Sequence, residues 1–145
     1  MRVFLLIFSV FYFVQSQAQS KKIYLNAGIV HASLNFEQVI LNYGKNNTAN
    51  FRIGVGTYQY AAIKGGGLSL GLVQNFSFKK HSIEMGFGSN IIFNGVDKKA
   101  PDLPRRLTIL PQFNAGYKYH LVKSVNIKGG IGVPEYIYLG IEYLF

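Results

Sequence analysis

The chain has 145 residues, 49% hydrophobic and only 14% charged, with 16 Gly, 12 Phe, 10 Tyr and neither Cys nor Trp. That composition excludes intrinsic disorder, a disulfide framework and cysteine-type zinc sites, and it leaves room for one domain at most. The formal net charge is +9, from 15 Lys and Arg against six Asp and Glu, and the three histidines (His31, His81, His120) are scattered; no metal or cofactor is expected of such a set.

At the amino end, Met1 and Arg2 precede an apolar run from Val3 to Val14, broken only by Ser9, and then the polar stretch Gln15-Ser16-Gln17-Ala18-Gln19-Ser20. The run is too short to cross about 30 Å of hydrocarbon at about 1.5 Å per residue. It reads as a secretory signal peptide over 1–18, cleaved after Ala18, with 19–145 as the mature domain. Without Cys there is no site for lipidation.

The rest of the chain alternates with period two. Candidate strands run over Lys22–His31, Leu34–Tyr43, Asn50–Tyr60, Gly67–Phe78, Ser82–Phe93, Leu107–Tyr119, Ser124–Val133 and Tyr136–Phe145, and no stretch sustains helical spacing. Gly44-Lys45-Asn46-Asn47-Thr48, Lys64-Gly65-Gly66-Gly67 and Lys79-Lys80-His81 supply the turn-forming or solvated connections. In the third segment Phe51, Ile53, Val55 and Thr57 oppose Asn50, Arg52, Gly54, Gly56 and Tyr58. The fifth sets Ile83, Met85, Phe87 and Ile91 against Ser82, Glu84, Gly86, Gly88 and Asn90. One face is bulky and apolar, the other small or polar.

A water-soluble barrel would gather the bulky face inside and leave a glycine-rich exterior. Of the 16 glycines, Gly28, Gly54, Gly56, Gly71, Gly86, Gly88, Gly116, Gly130, Gly132 and Gly140 fall on the polar face. Glycine weakens an exposed strand but suits the crowded inner wall of a narrow barrel. The faces are therefore inverted. The expected fold is all-β: an eight-stranded antiparallel up-and-down transmembrane β-barrel with lipid outside and a polar, filled interior.

An even strand number puts both termini on one side, the periplasmic side in bacterial barrels. Tyr43, Phe51, Phe76, Phe78, Tyr117, Tyr119, Tyr143 and Phe145 all face outward near that rim, as an interfacial aromatic girdle requires. The longest connection, Asn94 to Arg106, holds Pro101, Pro104 and six charged residues and falls on the outer side, where long loops are allowed. Pro111 conflicts with a closed ladder, so a bulge or a late strand start is expected there.

The closing residues Tyr138-Leu139-Gly140-Ile141-Glu142-Tyr143-Leu144-Phe145 resemble the carboxyl-terminal signal of outer-membrane barrels, with Tyr138, Gly140, Tyr143 and Phe145 at its positions and Tyr138 only weakly polar at the first. That resemblance implies recognition by the barrel assembly machinery. The order Asn35-Phe36-Glu37, Phe51-Arg52-Ile53-Gly54-Val55-Gly56, His81-Ser82-Ile83-Glu84-Met85-Gly86-Phe87-Gly88 and Gly116-Tyr117-Lys118-Tyr119 looks like a family of small bacterial outer-membrane barrels with no assigned activity. It implies a fold and a location in the outer membrane of a Gram-negative envelope, and nothing about chemistry.

Glu37, Glu84, Glu142, Arg52, Lys118 and Lys128 lie on the inner face of candidate strands, because a charge facing lipid near the midplane costs about 2–4 kcal/mol. Two cross-strand pairs are expected, Glu84 with Lys118 and Lys128 with Glu142. Such a network plugs a narrow interior; a gate or selectivity ring in a narrow channel for ions or small solutes is the alternative reading. At the outer side Lys64, Lys98, Lys99, Arg105 and Arg106 are candidate contacts for lipopolysaccharide phosphates, or else a solvated basic loop. Nucleic-acid binding is not expected of an exported chain without a recognition module.

An enzyme is the rival class. Some outer-membrane barrels deacylate lipid A with a His-x-Ser pair, which His31-Ala32-Ser33 repeats, but Leu34 follows where those enzymes have Asn and no acidic orienter is evident. A turn is the simpler reading. The expectation is thus a monomeric or weakly associated, non-enzymatic barrel of structural or envelope-interaction role, with lipid, lipopolysaccharide and the assembly machinery as partners.

Overall fold

Strict alternation of bulky apolar with small or polar residues dictates strands whose two faces meet different surroundings. The computed structural model describes residues 20–29, 31–60, 63–94, 107–133 and 136–145. Its strands are β1 (Lys21–Gly28), β2 (His31–Tyr43), β3 (Asn47–Tyr60), β4 (Ile63–Phe78), β5 (His81–Asn94), β6 (Leu107–Val122), β7 (Val125–Val133) and β8 (Tyr136–Leu144). Each pairs antiparallel with its neighbours in sequence, and β1 meets β8 from Lys22↔Leu144 to Gly28↔Tyr138, which closes the sheet. The fold is an all-β, eight-stranded, closed antiparallel up-and-down barrel. Among the described residues no helix is long and apolar enough to cross a membrane.

The inversion of faces is plain in the burial pattern. Leu25, Phe87 and Leu139 are 59%, 58% and 68% exposed, whereas Glu37, Glu84 and Glu142 are at most 1% exposed. A closed wall leaves no strand edge to satisfy, and its apolar face has no protein layer to bury against, so its complement is hydrocarbon. The inner wall is crowded enough to require glycine. A Cβ on Gly88 would press on the Leu70 carbonyl oxygen and sit 2.7 Å from the Gly71 Cα, and one on Gly54 would sit 2.6 Å from the Ser69 hydroxyl.

Three expectations at the strand ends are corrected. β1 stops at Gly28, and His31, Ala32 and Ser33 open β2 instead of forming a turn, with Ala27 facing Ala32. His31 and Ser33 carry the inward phase of Asn35 and Glu37 back to the rim. β4 begins at Ile63, not Gly67: Gly65 and Gly66 pair with Tyr58 and Thr57, the ladder needing backbone alone. Pro111 causes neither a bulge nor a late start. It faces Ser89 in unbroken register with β5, while the β7 ladder ends at Val133 opposite Phe113. Among the described residues β6 has no β7 partner above Phe113, so a missing donor on that side leaves no described partner unpaired. Register shifts occur instead between Val39 and Leu41 and between His120 and Val122.

The wall is also uneven in height. β1, β7 and β8 have 8, 9 and 9 residues, while β3, β4, β5 and β6 have 14, 16, 14 and 16. Phe78, Tyr117, Tyr119, Tyr143 and Phe145 stand exposed on the outer wall at the end where the first and last strands terminate. Tyr143 and Phe145 stack there with ring centroids 6.4 Å apart.

Candidate functional site

Charged residues on the inward phase of six strands converge because the lumen of an eight-stranded barrel is only as wide as the side chains that fill it. β2 brings Glu37, β3 Arg52, β5 Glu84, β6 Lys118, β7 Lys128 and β8 Glu142, all six buried. Arg52 forks onto Glu37, its Nε and Nη2 donating to Oε1 at 3.0 and 2.8 Å, and Nη2 also donates to Glu84 Oε1 at 2.6 Å. Lys118 Nζ bridges Glu84 Oε2 and Glu142 Oε2, each at 2.7 Å. Lys128 Nζ completes the set at 3.4 Å from Glu84 and 3.4 Å above the ring of Tyr24. Three carboxylates thus bond to three cations, with Glu84 at the centre, and a fourth cation, Lys22 of β1, is buried on the same inner face. Buried charges persist only when so paired and hydrogen-bonded.

The expected Glu84–Lys118 pair is therefore a direct contact. Lys128 does not reach Glu142 as expected but crosses the lumen to Glu84, and Glu142 takes Lys118 and Asn126 instead. The reason lies in the register. Lys128 faces Gly140 and Glu142 faces Asn126 across the β7–β8 ladder, so the two are not direct cross-strand partners, and the long ammonium reaches Glu84 instead.

Amides complete the network. Asn50 Nδ2 donates to Glu37 Oε2 at 2.9 Å, and Asn114 accepts from Arg52 at 3.2 Å while donating to Glu84 at 3.0 Å. Asn126 Nδ2 donates to Glu142 Oε1 at 2.7 Å. From Asn126 the chain of contacts continues toward the terminal rim through His120 Nδ1 at 2.7 Å, and from His120 Nε2 to the Ser82 hydroxyl at 2.7 Å and on to Ser77 at 2.9 Å. These residues were not singled out from the sequence, although each lies on the same inward phase as the charges it serves. The carboxylate oxygens of Glu37, Glu84 and Glu142 come within 4.8 Å of one another. Three carboxylates would suit a hard cation, but Arg52, Lys118 and Lys128 already supply their counter-charge.

His31 and Ser33 both point into the barrel and are buried. The imidazole packs on Tyr58 with centroids 4.5 Å apart, and the Ser33 hydroxyl accepts from Asn35 at 2.7 Å. In the closing strand Tyr138 faces inward beside Asn114, Gly140 gives space to Asn26, and Tyr143 and Phe145 face outward. Lys64 is exposed near the start of β4, at the rim opposite the chain ends. Lys98, Lys99, Arg105 and Arg106 lie outside the described residues, as does the connection that carries them.

No protein-family model and no curated protein sequence matches this chain. Among solved structures it is similar to the N-terminal β-barrel domain of Pseudomonas aeruginosa OprF, at 14% identity over 88% of this chain and 96% of that one, with a TM-score of 0.53. It is likewise similar to a de novo designed transmembrane β-barrel, at 12% identity over 90% of this chain and 98% of that one, with a TM-score of 0.54. At such identities what is shared is the architecture, and the architecture is that of an outer-membrane-type β-barrel.

Proposed function

We propose that the protein is an outer-membrane barrel with a structural or envelope-interaction role, its lumen closed by its own side chains. One observation carries the reading: six charged groups of balanced sign, buried and mutually bonded, occupy the middle of the lumen. A conducting pore needs a hydrated path, and each of these pairs holds its partners at contact distance where water would have to pass. Residues 1–18 serve as the export signal, and Tyr138, Gly140, Tyr143 and Phe145 as the assembly signal read during insertion. Lys64, with Lys98, Lys99, Arg105 and Arg106, meets lipopolysaccharide phosphates at the outer face. The barrel acts as a monomer, and no catalytic step is part of this role.

Planar-bilayer recording tests the seal. The purified protein inserts without adding discrete current steps; steps from the unmodified protein, with selectivity altered by Glu84→Ala and Glu142→Ala, would establish the narrow channel instead. Fractionation tests the location. The chain sediments with outer membranes and migrates differently on a gel before and after boiling, and a chain that stays soluble after lysis overturns the reading.

A further inference from the structure

We propose that the rim where the two chain ends meet is a collar that binds the phosphates of anionic lipid headgroups, those with no cation of their own to answer the phosphate; this rests on the barrel lying in a bilayer, as proposed above. The described turns at this rim are 44–46, 79–80 and 123–124, and β1 begins beside them. Every one carries lysine: Lys45, Lys79 and Lys80, Lys123, and Lys21, all of them exposed. No acidic side chain answers them. Of the six acidic residues of the chain, Glu37, Glu84 and Glu142 are locked in the lumen, and Asp97, Asp102 and Glu135 fall in sequence between strand ends of the opposite rim. Among the described side chains of this rim, then, every charged one is a cation.

A second observation shows that lysine at this rim overrides local backbone preference. Lys79 has φ 53°, in the left-handed region that glycine or asparagine adopts with least strain. A two-residue hairpin turn would be relaxed by glycine there. Lysine stands in its place, with a second lysine beside it.

The aromatic girdle sets the depth, and so selects the ligand. Phe78 immediately precedes Lys79, and the His81 ring that follows the turn lies 5.7 and 5.4 Å from those of Tyr117 and Tyr119. Rings of this kind settle at the boundary of hydrocarbon and headgroups. Lysines leaving the wall at that level extend their aliphatic stems along it and place the ammonium among lipid phosphates. A free anion would gain only the charge contact, not the depth match.

The test uses the full mature chain folded into phosphatidylcholine vesicles that carry spin-labelled phosphatidylglycerol or spin-labelled phosphatidylcholine, the electron paramagnetic resonance spectrum giving the fraction of each lipid held at the wall. The unmodified protein selects phosphatidylglycerol by roughly threefold or more at low salt, and the preference fades to parity near 1 M salt. Lys45→Gln, Lys79→Gly, Lys80→Gln and Lys123→Gln combined abolish it, while Lys64→Gln at the other rim leaves it intact. Lys79→Gly alone, which relaxes the turn, lowers it by roughly twofold without impairing folding. Equal selection by the unmodified protein, or a preference that survives the combined variant, overturns the proposal. So does loss of the preference to inorganic phosphate where chloride of equal ionic strength has little effect, which would mark a free-anion site. A chain that shows no wall-held lipid of either kind is not in the bilayer, and it is then the membrane reading that fails.

Discussion

Glu84 is the residue on which the lumen depends most, because it accepts from Arg52, Lys118, Lys128 and Asn114 together. Glu84→Gln keeps the shape but leaves Arg52, Lys118, Lys128 and the buried Lys22 with two carboxylates, a deficit of the kind that costs about 3–5 kcal/mol. The expected outcome is a lower urea midpoint for unfolding from detergent micelles; a midpoint within error of the unmodified protein would show that the ring does not hold the barrel together. The His31–Ser33 pair makes the opposite case. Both side chains face the lumen, away from the wall that meets lipid, so lipid A from cells carrying His31→Ala keeps the same acyl pattern by mass spectrometry as lipid A from cells with the unmodified protein. Six of the charged, inward residues are legible from period-two alternation, since a charge on the other phase would meet hydrocarbon; Lys22, buried near the start of β1, is not among them. The partners of those six are not. Cross-strand reasoning sees only neighbours on adjacent strands, whereas Lys128 on β7 bonds to Glu84 on β5 across the lumen.

Among the strands, the number and most extents follow from alternation and turn residues, and what escaped is what alternation does not encode. Glycine carries no phase, so the run Gly65–Gly67 read as a connection although its backbone continues the β4 ladder. The first hairpin was misplaced because His31-Ala32-Ser33 suits a turn and a strand equally; only the partner strand decides. Proline at 111 conflicts with a closed ladder as long as every strand is taken to be flanked along its whole length, and strand heights are not written in any one segment. The structure makes the point testable. Pro111→Thr changes stability by no more than about 0.5 kcal/mol, as an unconstrained site would. Phe113→Pro, just two residues on but flanked by Phe87 and Val133, loses ladder bonding that costs about 1–3 kcal/mol or more. Equal effects in a refolding titration would refute the difference in flanking. Gly88→Val belongs to the same scale: its branched side chain would force the Leu70 carbonyl and the Gly71 backbone apart, and overpacking by about 1–3 kcal/mol slows or prevents closure, visible as loss of the heat-modifiable gel band.

For the whole molecule, the inversion of faces was the most legible feature, because glycine and ionised residues shared one phase over many strands while the bulky residues shared the other. It predicts an asymmetry that a soluble barrel would reverse. Val55→Lys on the outer wall costs about 2–4 kcal/mol near the midplane, whereas a soluble barrel with that position in water would be indifferent to it. The uneven wall has a consequence of its own. A strand of 8 or 9 residues, rising about 3.3 Å per residue at a tilt near 40°, spans roughly 20–23 Å, and one of 16 residues roughly 40 Å. In a bilayer the surrounding leaflets must therefore compress along the β7–β8–β1 flank and relax along β4–β6, so that the molecule wears a lopsided annulus of lipid. A thinned flank of that kind lowers the mechanical cost of placing another thin-walled neighbour beside it, and gives a cylindrical molecule a preferred side within the plane of the membrane.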